Sequence, residues 1–144
     1  MGRDKKVIVI PCSGIGKPIG TVSRETTYET IENLAKGKAE TVCLALLVSG
    51  DKDTIKKVKD NYVITLDGCA RRCAQKNVEQ YGKTPDKSHM ILKFAAANPD
   101  KKPRGLIDIG NSGRVLVNTI ADTVAKDVED LIENKKDAEK KNNH

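Results

Sequence analysis

Apolar residues fall in short blocks along the chain, and the spacing within each block separates strand from helix. Val7-Ile8-Val9-Ile10 is an unbroken β-branched run with charges before it and Pro11 after it. Tyr62-Val63-Ile64-Thr65-Leu66 is a second, largely apolar run, ending at Asp67-Gly68. Runs apolar on both faces predict central strands of a parallel sheet, covered by helices above and below. Elsewhere the spacing is helical. After the glycine- and proline-rich stretch from Pro11 to Gly20, Thr21 or Ser23 is placed to cap a helix. Its inner face would be Tyr28, Ile31 and Leu34 or Ala35, with Gly37 as its stop. Asp51 or Asp53 caps a shorter helix that turns Ile55 and Val58 inward. The last helix, from about Gly113 to Asn134, sets Val117, Ile120, Val124, Val128 and Leu131 on one stripe.

Other stretches are less specific. Thr41-Val42-Cys43-Leu44-Ala45-Leu46-Leu47-Val48 fits a strand with Cys43 in mid-sheet, or a turn leading into a buried helix. His89 to Phe94 predicts a further strand, and Leu106 to Gly110 a short extended or turn segment after a loop rich in Pro and Lys. From Cys69 a helix runs to about Tyr81, stopped by Gly82, with Cys69, Cys73 and Val78 on its inner face. No internal repeat or linker divides the chain, so residues 1–144 read as one domain with a frayed tail from about 135 to 144. The expected fold is α/β: a single three-layer, Rossmann-like domain, with a small, largely parallel sheet and helices on both faces.

Composition supports a layered core built from small aliphatic side chains. The 144 residues hold no Trp, one Phe and three Tyr, so Val, Ile, Leu and Ala must fill the interior. A chain of this length can bury a core without a metal or a disulfide. The net charge of +6 is spread over scattered lysines without interleaved aromatics or an arginine-rich arm. That pattern describes a solvated basic surface rather than a nucleic-acid site. No stretch approaches the ~18 consecutive apolar residues of a spanning helix. The run Val7–Ile10 is too short for a secretory signal. The expectation is a cytoplasmic protein with no membrane partner. In that reducing setting, four cysteines point to metal or redox chemistry before structural disulfides.

The thiols therefore carry the candidate chemistry. Cys12 follows the first predicted strand and Cys69 follows the second. Loops after neighbouring parallel strands gather at one sheet edge, so the two sulfurs meet there if those strands are adjacent. Cys73, four residues after Cys69, would project from the same helical face. A tetrahedral zinc, with Zn–S bonds of about 2.3 Å, then needs one more ligand. Cys43 would close the site with a fourth thiolate. If Cys43 is instead a small buried residue, water, His89 or Asp67 would complete an open site.

Two other classes fit the same residues. A thiol redox or sulfur-transfer enzyme would use Cys12 on its glycine loop and the Cys69/Cys73 pair, with Arg71 and Arg72 favouring thiolates. A non-catalytic metal-storage or partner-binding module would use the thiols without turnover. The phosphate readings of the first loop are weaker. Gly14, Gly16 and Gly20 miss the dinucleotide spacing, and Pro18 stands where a phosphatase loop would need arginine. Lys17 and Arg24 are placed to attract an anion or simply to meet solvent. Asp67 is a turn residue before Gly68 or an outer acceptor for a ligand. Asp108 has no evident partner in the sequence, and His144 lies in the tail. No Ser-His-Asp set or paired-carboxylate signature names a catalytic residue.

Asp67-Gly68-Cys69 after a strand, Cys73 four residues on and Cys12-Ser13-Gly14 upstream together resemble the DGC-domain family. That family is named for its Asp-Gly-Cys motif and has four characteristic cysteines held to bind zinc. The resemblance spans about residues 6 to 94. It implies zinc as cofactor and Cys12, Cys69 and Cys73 as ligands, with Cys43 in the region of the fourth. It implies no particular substrate, protein partner or reaction.

Overall fold

The two runs that are apolar on both faces lie side by side in the middle of the sheet. β1 (Val7–Pro11) and β3 (Tyr62–Asp67) pair in parallel, in register from Val7 opposite Tyr62 to Pro11 opposite Leu66. The two-residue β2 (Ala39–Glu40) flanks β1, and β4 (Lys87–Met90) flanks β3, giving four parallel strands in the order β2-β1-β3-β4. The computed structural model describes residues 5–142, with side chains described through residue 134.

Alternation along the central strands sorts the core into two layers. Val7 and Val9 of β1, with Ile64 and Leu66 of β3, point to one face. There they meet Val22 of α1 (Pro18–Glu29) and a stripe from the long C-terminal helix. Ile8, Ile10 and Val63 point to the other face. They meet Leu44 and Leu47 of α2 (Leu44–Val48), Val58 of α3 (Lys52–Asp60), and Ala74 and Val78 of α4 (Cys73–Gln80). Each fully buried Val, Ile or Leu contributes about 1.5–3 kcal/mol of transfer free energy. The expected α/β three-layer architecture is the one observed.

The helix ends follow their local chemistry. Asp51 caps α3 as expected, its carboxylate accepting from the Thr54 amide at 3.0 Å and the Thr54 hydroxyl at 2.6 Å. The C-terminal helix, α6 (Gly110–Asn142 after α5, Ile91–Ala97), starts three residues before the predicted Gly113. Val117, Ile120, Val124 and Val128 are all buried on the predicted stripe, and Leu131 packs against its end. The frayed tail expected at about 135–144 lies outside the described side chains. No helix among the described residues is long and apolar enough to cross a membrane.

Three expectations need correction. α1 begins at Pro18, not after Thr21 or Ser23, because proline at the first helical position needs no amide partner. Both hydroxyls lie inside the helix and point inward: Thr21 donates to the Leu106 carbonyl and Ser23 to the Leu66 carbonyl at 2.6 Å. The inner face of α1 is accordingly Val22, Ser23, Thr26 and Thr27, continued by Thr30 in the next turn. Of the expected residues, Ala35 is buried and Ile31 packs against the core, while Tyr28 and Leu34 are exposed. Thr27 and Thr30 satisfy their own hydroxyls by donating to carbonyls one turn back, so they pack as small, self-contained residues. After α1 the backbone widens into a π-helical turn, Thr30–Leu34.

The run Thr41–Val48 resolves as a turn followed by α2, with Leu44 and Leu47 inward and Leu46 and Val48 exposed. The sequence 89–94 is strand only to Met90. The β3–β4 ladder ends where Asp67 pairs with Met90, and with no longer strand to follow, Ile91 opens α5. The Leu92 amide then donates to the Gly68 carbonyl at 3.0 Å.

Ile120 tests the α6 layer directly, because it is fully buried between that helix and the sheet. Ile120→Ala is expected to lower unfolding free energy by about 2–5 kcal/mol in urea denaturation. A loss under about 1 kcal/mol would contradict the packing described.

Candidate functional site

The chain leaves β1 by opposite routes in its first two crossovers. From β1 it passes through α1 on one face to β2, then through α2 and α3 on the other face to β3. The loops after β1 and β3 therefore part company at the centre of the sheet. A crevice at the C-terminal edge of a parallel sheet, where the strand order reverses, is where ligands bind in open α/β folds. A cavity of about 400 Å³ lies there, lined by Cys12 to Lys17, Asp67 to Cys69, and Arg71 to Cys73.

Cys12 forms the floor. Its backbone amide extends the strand pairing by donating to the Leu66 carbonyl at 2.9 Å. Its Sγ accepts from the Gly68 amide at 3.2 Å, and only 8 % of the residue is exposed. The loop beyond it closes through a glycine–glycine contact. Gly14 sits at φ +31°, and a Cβ on Gly20 would lie 2.0 Å from the Gly14 carbonyl oxygen. Arg24 ties the same loop down, donating to the Ser13 carbonyl at 2.6 Å and the Thr21 hydroxyl at 3.2 Å. The expectation that Cys12 favours a thiolate is reversed. Burial pushes its thiol up, and the opposing Gly68 amide and Ser23 hydroxyl do not offset that.

The Asp-Gly-Cys segment is organised by Asp67. Its buried carboxylate accepts from the Ala74 amide at 2.7 Å and the Gln75 amide at 3.1 Å, on the first turn of α4. The residue just before that helix, Arg72, makes no side-chain cap, so a group from the end of β3 caps α4 instead. Burial raises the Asp67 carboxyl above the ordinary range, against the pull of those amides and of Arg72 and Lys76.

This arrangement corrects the expected helix from Cys69. Asp67 fixes the helix start at Cys73, and residues 68–72 span the gap as a turn in which the Arg72 amide donates to the Cys69 carbonyl at 3.2 Å. Arg72 takes a left-handed backbone, φ 54° and ψ 48°, the one such non-glycine residue among those described. Cys69 and Cys73 thus do not share a helical face. Cys69 lies in the turn, half-buried, and Cys73 is the exposed first residue of α4, whose inward residues are Ala74 and Val78.

The structure brings Cys12, Cys69 and Cys73 to one cavity. Cys43 lies apart from its lining, exposed at the residue preceding α2. All four cysteines are free thiols. No three Cys, His, Asp or Glu side chains among the described residues are grouped closely enough to hold a metal ion. His89 is turned away from the thiols: its Nε2 meets Asp127 Oδ2 at 2.5 Å, and its ring edge packs on Phe94. Asp108 accepts from the Gly110 amide at 2.9 Å, at the start of α6.

Sequence reasoning missed an adjoining cavity of about 550 Å³, between the ends of β3 and β4 and the helices α4 and α5. Arg72 and Asp67 line both cavities. The His89–Asp127 pair beside it joins residues 38 apart, which no local pattern could signal.

Removing the carboxylate that holds this segment together has a defined cost. Asp67→Ala is expected to lower stability by about 1–2 kcal/mol in chemical denaturation, the loss typical of a helix cap, and Asp67→Asn by less. No measurable loss for Asp67→Ala would contradict the capping role.

The comparisons with known proteins agree with this geometry in one respect. No curated protein and no solved structure matches the chain. The DGC domain model matches residues 8–105, more than half of the chain, and that span holds all but the first residue of β1, with β3, the Asp-Gly-Cys turn and all four cysteines. The chain belongs to the DGC domain family.

Proposed function

We propose that this protein binds one zinc ion through Cys12, Cys43, Cys69 and Cys73, at the C-terminal edge of the sheet. One observation carries the reading: the four thiols follow the C-terminal ends of three adjacent parallel strands. Cys43 comes after β2, Cys12 after β1, and Cys69 and Cys73 after β3. Cys43 and Cys73 also stand at the starts of α2 and α4, which pack on each other through Leu44, Leu47, Ala74 and Val78.

The donors fit zinc in kind. Four thiolates make a closed, structural type of site, and the hydrogen bond that the Gly68 amide donates to the Cys12 sulfur is the sort of outer contact that orients a metal thiolate. The segments that must adjust are the 41–43 connection and the 68–72 turn, neither of them inside a helix or strand beyond its end. Zinc bound there would fix those connections to one another. Because the two core layers are already built from aliphatic side chains, the ion would order the sheet edge rather than the whole fold.

The test is metal analysis of protein purified without metal supplementation, with a thiol titration beside it. The expected result is about one zinc per chain and four thiols that react only after chelation or unfolding. Serine at any one of the four positions should lower zinc retention by at least about tenfold. Less than about a tenth of an equivalent of any metal, with four freely reactive thiols, would overturn the proposal and turn the reading to thiol redox or sulfur transfer.

A further inference from the structure

We infer that the cavity beside the thiols is a binding site for a small organic anion, a carboxylate or phosphate ester on an apolar body. Arg72 and Lys93 would hold the anionic end, and the wall of Met90, Phe94 and Ala97 the rest. The inference stands on this cavity and not on the zinc reading.

The charge inventory is what carries it. The polar side chains of the lining already have partners. Asp67 accepts two amides, His89 pairs with Asp127, and Ser88 bonds to Thr65 and Gln75. Gln75 is held further by Glu79. The two cations are different. Neither the Arg72 guanidinium nor the Lys93 ammonium has a hydrogen bond or ion pair among the described residues. The one carboxylate in the lining is Asp67, which is committed to the first turn of α4. The cavity therefore presents two exposed cations without an ion pair among the described residues, beside an apolar wall. Arg72 also feels the buried Asp67 carboxylate, whose oxygens are already taken by two amides. An anion gains most where donors are charged, and a guanidinium matches the planar geometry of carboxylate and phosphate.

Shape and position point the same way. A volume of about 550 Å³ lies within the range of small-molecule sites. Arg72 holds a left-handed backbone that only glycine adopts without cost, and it stands on the ridge between the two cavities. The turn that the Asp67 cap imposes sets this conformation, and it holds the arginine at the cavity edge. An anion held by Arg72 would lie next to the cavity that holds Cys12, Cys69 and Cys73.

The experiment is a titration of the isotope-labelled full chain, followed by amide NMR shifts. Its probes are phenyl phosphate, benzoate, inorganic phosphate and the neutral benzyl alcohol. Shifts centred on Gln75, Ser88, His89, Lys93 and Phe94 are expected with phenyl phosphate or benzoate, and whichever binds tighter assigns the headgroup. Inorganic phosphate and benzyl alcohol should each bind at least about tenfold more weakly, because each lacks one half of the match. Arg72→Gly, whose glycine suits the backbone at that position, and Lys93→Gln should each weaken phenyl phosphate by about tenfold while keeping a folded spectrum. The shifts should persist in chelator-treated protein. No shift at these residues at millimolar probe, equal binding by the doubly substituted protein, or loss of binding on chelation would each overturn the inference.

Discussion

The carboxylate of Asp67 holds the functional edge of this molecule together. It closes β3 and, from the strand end, takes the amides of Ala74 and Gln75 that would otherwise open α4 unpaired. The bond fixes how far the chain must travel between sheet and helix. Residues 68–72 cover that distance in a turn that drives Arg72 into the left-handed region and leaves Cys69 outside the helix. The Gly68 amide, released from any strand partner, donates to the Cys12 sulfur instead. The positions of the two thiols, the arginine and the floor of the central cavity thus follow from one buried acceptor.

That edge is also where the topology concentrates chemistry. Parallel pairing sends the connections after β2, β1 and β3 to one side, and the reversal between β1 and β3 opens a crevice there. The four thiols of the chain all lie in those connections. Arg72 and, from α5, Lys93 line a second cavity that adjoins the first. Cys12 and Asp67 illustrate why such an edge is reactive ground. Each is buried enough that its charged form is disfavoured, so both are responsive to whatever charge is placed beside them.

The sequence made the parts of the fold with a strong period legible. The run of β1 read as a central strand, the apolar run of β3 as a strand, and the α6 stripe from Val117 to Val128 as a core-facing stripe. That Cys12 and Cys69 would meet at one sheet edge followed from parallel strands on the condition that β1 and β3 be neighbours, which the sheet order meets. Features set by distant partners were not legible. The inner face of α1 hides behind Ser23, Thr26, Thr27 and Thr30, polar residues that are fully buried; the hydroxyls of Ser23, Thr27 and Thr30 donate to carbonyls that the sequence does not reveal. β2 is two residues long and leaves no pattern. The start of α4 was misplaced by one turn because an acceptor on β3, not the local sequence, decides it. The second cavity depends on α5, whose residues Ile91 to Phe94 carry a strand-like composition and become helical only because the sheet has ended.

The central claim is that these four thiols share one ion, and X-ray absorption at the zinc edge of the metal-loaded protein tests it most directly. The account predicts a first shell of four sulfurs at about 2.3 Å. A nitrogen or oxygen in place of any of the four would contradict it.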